Sequence, residues 1–186
     1  LQKVLPSDVI ITNGAGNFAV WPNKFFQFGA GSRLLAPQSG AMGYGVPAAI
    51  AAKATFPDRT VVCFAGDGDF QMTCQELATA AQAQIFPIIL IVNNATYGTI
   101  RVHQEKNYPG RVSCTDIVNP DFIGLAQSFG FLGISVKTTD GFFAAFSQAL
   151  NSKNGAVLDL NVSSESLVPS QSLSEIRQKA LNNQKD

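Results

Sequence analysis

The feature that most limits how this sequence can fold is its exchange of strand-sized apolar runs with helix-like segments. Thr60–Ala65 is a β-branched run, and Pro87–Val92 (PIILIV) is continuously apolar, as strands buried on both faces of a parallel sheet are. Asp8–Thr12, Phe131–Val136 and Ala156–Val162 read as further strands. Apolar spacing predicts helices over Val46–Thr55, Gln71–Gln84, Asp121–Phe129 and Phe142–Leu150. Such alternation specifies an α/β fold class: a mainly parallel central sheet with helices on both faces and right-handed crossovers.

At 186 residues, surface scaling buries about 70% of the unfolded chain's surface, enough for one well-filled core and too little for two. One domain over 1–162 is expected, followed at 163–186 by a Ser/Pro-rich linker and a C-terminal helix. Ser172 and Glu175 form a capping-box pattern for that helix, with Leu173, Ile176 and Ala180 on one face. Thirteen basic residues balance 13 acidic ones, without the basic excess of a nucleic-acid binder. The longest apolar run, Phe86 to Val92, is too short for a membrane span. Cys63, Cys74 and Cys114 lack metal-site spacing and read as reduced thiols of a cytoplasmic protein. A start at Leu1, without methionine or signal peptide, reads as a piece of a longer protein.

Charge is unevenly placed. No Asp or Glu occurs from Val9 to Pro57, where Lys24, Arg33 and Lys53 are the basic residues. The stretch either faces an anion or is buried and excludes charge altogether.

In an open α/β sheet, ligands bind where strands end and helices begin. Two such ends are polar: Gly66-Asp67-Gly68-Asp69 after the strand Thr60–Ala65, and Asn93-Asn94-Ala95-Thr96-Tyr97-Gly98 after Pro87–Val92. The intervening helix carries the chain about 21 Å away, and the strand returns it by about 20 Å. Asp67 and Asn94 should therefore meet at one sheet edge. A carboxylate, an amide oxygen and a nearby carbonyl are too few for a calcium cage but suit Mg²⁺, which keeps water and takes further ligands from phosphate. The glycines beside Asp67 let a phosphate approach main-chain N–H groups. Asp-Gly alone is an ordinary turn and Asn-Asn an ordinary cap; the two at this spacing make a site.

With this pair of motifs the sequence resembles the C-terminal cofactor-binding domain of thiamine-diphosphate-dependent enzymes, in the acetolactate synthase and benzoylformate decarboxylase group. The likeness runs from about Asp8 to Val162. It implies the thiamine-diphosphate-binding fold, with thiamine diphosphate and Mg²⁺ as cofactors. The implied metal ligands are Asp67, Asn94 and the carbonyl of Thr96. Gly66 and the main chain of Gly68, Asp69, Tyr97, Gly98 and Thr99 would complete the anion site. Upstream, Ser39-Gly40-Ala41-Met42-Gly43-Tyr44-Gly45-Val46-Pro47 resembles the segment that holds the aminopyrimidine. This implies main-chain contacts from Gly40 and Met42. The Met42 side chain would wedge between the two rings, so that the bent cofactor brings its amino nitrogen to the thiazolium C2–H. Gly14-Ala15-Gly16-Asn17 resembles the family's Gly-Gln turn, placing Gly16 and Asn17 at the diphosphate.

The resemblance also implies what this chain does not supply. In the family, the Glu that bonds the pyrimidine comes from a separate pyrimidine-binding domain on another subunit. The middle domain, which binds FAD in some relatives, is also unmatched. The expectation is the diphosphate- and Mg-binding domain of a 2-oxo acid decarboxylase or carboligase, working in a homo-oligomer on a small 2-oxo acid. It contains no catalytic residue of its own and is inactive alone.

One competing reading and two departures remain. Gly14-x-Gly16-x-x-Ala19 also spells a dinucleotide fingerprint. The acid-free stretch removes the ribose-binding carboxylate that NAD needs, and Pro22 is expected to interrupt the helix; an NADP-binding oxidoreductase domain with Arg33 is the alternative. Asp69 stands where many relatives have Ser, and a second carboxylate beside a diphosphate must turn its side chain away. His103 takes the position of a channel-facing Trp of acetolactate synthases. A substrate contact, an acid/base group and an ordinary solvated helix residue all fit that position.

Overall fold

Side chains of the central strands alternate between two apolar layers, and this alternation organises the molecule. The computed structural model describes residues 1–184. Its strands are β1 (Ile10–Asn13), β2 (Arg33–Leu35), β3 (Val61–Gly66), β4 (Ile88–Asn93), β5 (Leu132–Val136) and β6 (Ala156–Asn161). They form one sheet in the order β2-β1-β3-β4-β6-β5, every neighbouring pair parallel. The helices are α1 (Val20–Phe25), α2 (Gly45–Thr55), α3 (Asp67–Gln71), α4 (Glu76–Ala83), α5 (Gly98–Asn107), α6 (Phe122–Ser128), α7 (Thr139–Asn151) and α8 (Leu173–Asn183).

On one face Ile10, Cys63, Ala65, Ile89, Ile91 and Val157 pack against α2, α4 and α6 through Ala49, Leu77 and Phe122. On the other, Ile11, Val62, Phe64, Leu90 and Leu158 meet Ala145, Phe146 and Ala149 of α7. A fully buried Leu, Ile or Phe contributes about 1.5–3 kcal/mol, so this two-sided burial is the main force closing the sheet. Burial also holds the Cys63 thiol up at about 12, making it an inert core residue. A third, smaller cluster of Val102, Leu167, Leu173 and Ile176 seats α8 against α5. The capping box at Ser172 and Glu175 is formed, and the helix docks on this chain.

β1 lies between β2 and β3, so the chain leaves β1 and β3 in opposite directions. A crevice opens at such a switch point, outside the carboxyl ends of the strands. The register keeps those ends level, with Asn13 opposite Phe64 and Gly66 opposite Val92.

The structure corrects several local expectations. The helix expected over Gln71–Gln84 is two helices, α3 beginning at Asp67 and α4 ending at Ala83. Between them the backbone tightens into i→i+3 bonds, including Thr73 N–H to Phe70 O and Glu76 N–H to Thr73 O. The Thr73 hydroxyl donates to Gly43 O at 2.8 Å and ties this turn to the upstream loop. Pro22 does not interrupt a helix; it is the buried third residue of α1, in the first turn, where a missing N–H costs no helical bond. Helix α7 starts at Thr139, three residues early, because the Thr138 hydroxyl accepts from Gly141 N–H. The edge strand β2 was not foreseen, having three residues and no readable period.

Candidate functional site

Three strand ends build the site. From β1 the chain turns through Gly14–Asn17, from β3 it passes directly into α3 at Asp67, and from β4 it crosses Asn94–Tyr97 into α5. One pocket is lined by Gly16, Asn17, Met42, Gly66, Asp67, Gly68, Asp69, Asn94, Thr96, Tyr97, Gly98 and Thr99, with Ala15, Phe18, Val92 and Ile100 as its apolar wall. Of the site residues expected from sequence, Gly40 alone lies outside this lining; it sits in a turn, its N–H bonded to Pro37 O.

Asp67 is 3% exposed and is held from several sides. Its Oδ2 accepts the Ala95 N–H at 2.7 Å and the Asn119 amide at 2.8 Å, and its Oδ1 accepts the adjacent Gly68 N–H at 3.0 Å. The Asn94 amide oxygen accepts Thr96 N–H at 3.0 Å and keeps a second lone pair. These bonds join the β3 and β4 loops at the sheet edge. The donor set is one carboxylate, one amide oxygen and the Thr96 carbonyl. Among the described residues no cluster of three or more His, Cys, Asp or Glu could hold a metal. The site therefore fits a hard cation that brings most of its own ligands, as Mg²⁺ does with water and phosphate, and fits poorly a soft metal.

The groups expected to face an anion differ in how free they are. Gly98 and Thr99 open α5, and first-turn N–H groups of a helix have no intrahelical acceptor. Tyr97 requires a correction: its N–H donates to Thr115 O at 2.8 Å and is not free for a phosphate, although the residue lines the pocket. Across the pocket, the Asn17 amide oxygen accepts the Thr99 hydroxyl at 2.8 Å, while its Nδ2 is buried without a partner among the described residues. An unpaired buried donor costs about 1–3 kcal/mol; here it borders the pocket. A phosphate oxygen in the pocket would meet it, and in that respect the residues present fit a diphosphate.

Asp69 turns its carboxylate into the acid-free stretch. Its Oδ1 accepts Ala15 N–H at 3.1 Å and Gly43 N–H at 2.8 Å, tying the Asn17 turn to the Met42 loop. Burial raises its pKa to about 6, against the lowering effect of these two bonds. The segment without acids is thus served by one carboxylate from outside it. Met42 is 38% exposed on the pocket rim. His103 is exposed on α5 and outside the lining.

Sequence reasoning missed Asn119, which precedes α6. Its Nδ2 donates to Asp67 and to Asn93 Oδ1 at 2.9 Å, and its Oδ1 accepts from Gln71 at 2.9 Å. Asn-Pro-Asp at 119–121 carries only the signal of a turn and helix cap, and the cap is present, Asp121 accepting from Ile123 and Gly124 N–H.

Comparison with known proteins places the chain among relatives. A family model, thiamine pyrophosphate enzyme, C-terminal TPP binding domain, matches residues 14–160. An acetolactate synthase large subunit from Parasynechococcus marenigrum is 36% identical over 160 residues, covering 85% of this chain and 26% of that protein. One from Haemophilus influenzae is 42% identical over 136 residues, covering 72% and 24%. A thiamine diphosphate-dependent 4-hydroxybenzoylformate decarboxylase from Rhodococcus jostii superposes with a TM-score of 0.78 at 30% identity, covering 87% of this chain and 31% of that one. The chain thus spans about a quarter of the length of these curated relatives. The likenesses lend no support to an NADP-binding reading.

Proposed function

The chain belongs to the family of thiamine pyrophosphate enzyme C-terminal TPP-binding domains, and we propose that it holds thiamine diphosphate through Mg²⁺ for a 2-oxo acid decarboxylase or carboligase. The observation that carries this reading is the junction of the two motif loops. The Ala95 N–H to Asp67 bond of 2.7 Å brings Asp67, Asn94 and Thr96 to the rim of one pocket.

In this reading Asp67, Asn94 and the Thr96 carbonyl hold the metal. Asn17 Nδ2 and the main-chain N–H groups of Asp69, Gly98 and Thr99 hold the diphosphate; the Gly68 N–H, expected there from sequence, is instead engaged by Asp67 Oδ1 at 3.0 Å. Gly40 and Met42 provide the pyrimidine contacts, and Met42 supports the bent shape. The bound cofactor supplies carbanion-stabilising chemistry; the chain's share is binding and orientation, with Phe18 and Val92 as an apolar wall beside it. Residues 1–162 are taken as the cofactor domain and the segment from 163 as the linker and C-terminal helix, of which 185 and 186 lie outside the described residues.

A pyrimidine-binding domain on another subunit of a homo-oligomer completes the site. An apolar groove of about 690 Å³ supports this partner; it shares Phe18 and Val92 with the pocket and extends over Trp21, Phe142 and Phe143. Trp21 and Phe143 are 37% and 63% exposed, and exposed apolar area of this kind marks interaction sites. Three free thiols, at Cys63, Cys74 and Cys114, support a cytoplasmic setting. No helix among the described residues is long and apolar enough to cross a membrane.

Calorimetry with thiamine diphosphate and Mg²⁺ tests the reading. Metal-dependent binding that is lost in Asp67→Ala supports it. Equal binding with and without Mg²⁺, or binding of NADPH instead, overturns it. Turnover of pyruvate or benzoylformate by the chain alone would overturn the dependence on a second domain.

A further inference from the structure

We propose that Asn119 is a positioning residue that keeps Asp67 a one-oxygen ligand, and so makes the site favour Mg²⁺ over Ca²⁺. The inference rests on reading the site as a thiamine diphosphate–Mg²⁺ centre.

Asn119 is far from both motifs in sequence, but its carboxamide sits between them. Its orientation is set by its neighbours. The Gln71 Nε2 donor, at 2.9 Å, needs the amide oxygen opposite it. The acceptors Asp67 Oδ2 at 2.8 Å and Asn93 Oδ1 at 2.9 Å need the amide nitrogen. A flipped amide would set an oxygen against two oxygens. Asn93 is itself anchored, its Nδ2 donating to Asp159 on β6 at 2.9 Å. The Asn119 donor is thus aimed at Asp67 by groups from α3, β4 and β6.

With the Ala95 N–H at 2.7 Å, Asn119 gives Asp67 Oδ2 two donors. Two N–H donors at this distance compete with a cation for the lone pairs of that oxygen. Oδ1 carries only the Gly68 N–H of its own turn, at 3.0 Å. A carboxylate capped in this way offers a cation one oxygen. Mg²⁺ takes single oxygens in a tight octahedron and retains water, whereas Ca²⁺ accepts six to eight ligands and readily takes both oxygens of a carboxylate. Removing the Asn119 amide frees half of Oδ2 and lets Asp67 tilt toward two-oxygen binding. The expected result is loss of Mg²⁺ support and relative gain of Ca²⁺ support.

The test titrates thiamine diphosphate, up to millimolar concentration, into the full chain in saturating Mg²⁺ or saturating Ca²⁺. The proteins are the unaltered chain, Asn119→Ala and Gln71→Ala, and calorimetry is the readout. Outer-shell partners of metal ligands are worth about 10–100-fold in affinity. Asn119→Ala should lose about tenfold or more with Mg²⁺ and distinctly less with Ca²⁺, so that the Mg²⁺/Ca²⁺ ratio falls. Gln71→Ala, which unfixes the amide and gives up a longer bond of 3.4 Å to the Asp67 carbonyl but leaves the Asn119 donor in place, should move the ratio the same way by less. An equal loss with both ions, or none with either, shows a purely structural role and overturns the inference. If circular dichroism shows Asn119→Ala to be unfolded, an unchanged ratio in Gln71→Ala overturns it instead. Absence of metal-dependent binding in the unaltered chain overturns the reading of the site itself.

Discussion

A methyl group on Gly14 would lie 2.0 Å from Oδ1 of Asp69, so position 14 can take no side chain while the Asp69 carboxylate keeps its place. The carboxylate fills that space in order to reach the Ala15 and Gly43 N–H groups. Gly14→Ala should expel it and break both bonds. Hydrogen bonds to a charged group are worth about 1.5–3 kcal/mol each; allowing for partial relaxation, a loss of about 2–4 kcal/mol in urea unfolding is expected. Asp69→Ser on its own also gives up the two bonds, but it leaves room for the alanine methyl. The double variant should therefore cost clearly less than the two single losses added together. Strict additivity would show that the two residues do not compete for the space.

Met42 tests the separation of cofactor shape from folding. It stands on the pocket rim, 38% exposed, outside both large core clusters. Met42→Ala should change stability by no more than about 0.5 kcal/mol, as surface substitutions do, while weakening thiamine diphosphate binding in the complete enzyme. A lowered melting temperature with unchanged cofactor affinity would make Met42 a packing residue.

What the sequence disclosed depended on distance along the chain. Asp67 and Asn94 were legible because each lies in a contiguous polar motif directly after an apolar strand, and strand register does the rest. Asn119 was not, because its partner Asp67 is 52 positions away and nothing local distinguishes it from a turn residue. The need to turn the Asp69 carboxylate aside followed from charge alone, yet its destination required knowing that Gly14 and Gly43 close on it in space. The break within Gln71–Gln84 is hidden from local sequence for a similar reason: the Thr73 bond to Gly43 belongs to the tertiary fold, and it overrides local helical spacing. Pro22 falls in the first turn of α1, where proline is tolerated, and only the observed start of that helix at Val20 distinguishes this from a mid-helix break.

Glu105 gives a pH dependence with a definite sign. It is fully buried on α5 and clasps α8. Arg177 reaches it at 2.5 and 2.8 Å, Arg101 at 3.1 Å and Gly110 N–H at 2.9 Å. The hydrogen bonds from Arg177 hold its pKa down at about 2, outweighing the opposing effect of burial. A carboxylate whose folded pKa is depressed stabilises the fold above its ordinary pKa and loses that contribution as pH falls through the folded value. The stability difference between the unaltered chain and Glu105→Gln should be full above about pH 4.5 and fade between there and about pH 2. Urea midpoints of both proteins across that range check it, and a difference independent of pH would refute the ionic account. Arg177→Met should lower the melting temperature by about 3–10 °C, for a loss of roughly 1.5–3 kcal/mol in a domain of this size.

Asn17 should separate binding from stability in the opposite sense. Its Oδ1 is engaged by the Thr99 hydroxyl, whereas its buried Nδ2 has no partner among the described residues. An unmet donor is a cost to the free fold and a gain to any ligand that meets it. Asn17→Asp replaces that donor with an acceptor and adds negative charge beside the diphosphate position. Cofactor affinity should fall by about 1–3 kcal/mol, or roughly 5–150-fold, with the melting temperature of the free chain hardly lowered. Asn17→Gln keeps the donor on a longer arm and should retain most of the affinity. Paired cofactor titrations and thermal melts of the two variants decide the matter. Should Asn17→Asp bind as tightly as the unaltered chain, the Nδ2 donor does not face the diphosphate, and the anion site must be built from main-chain groups alone.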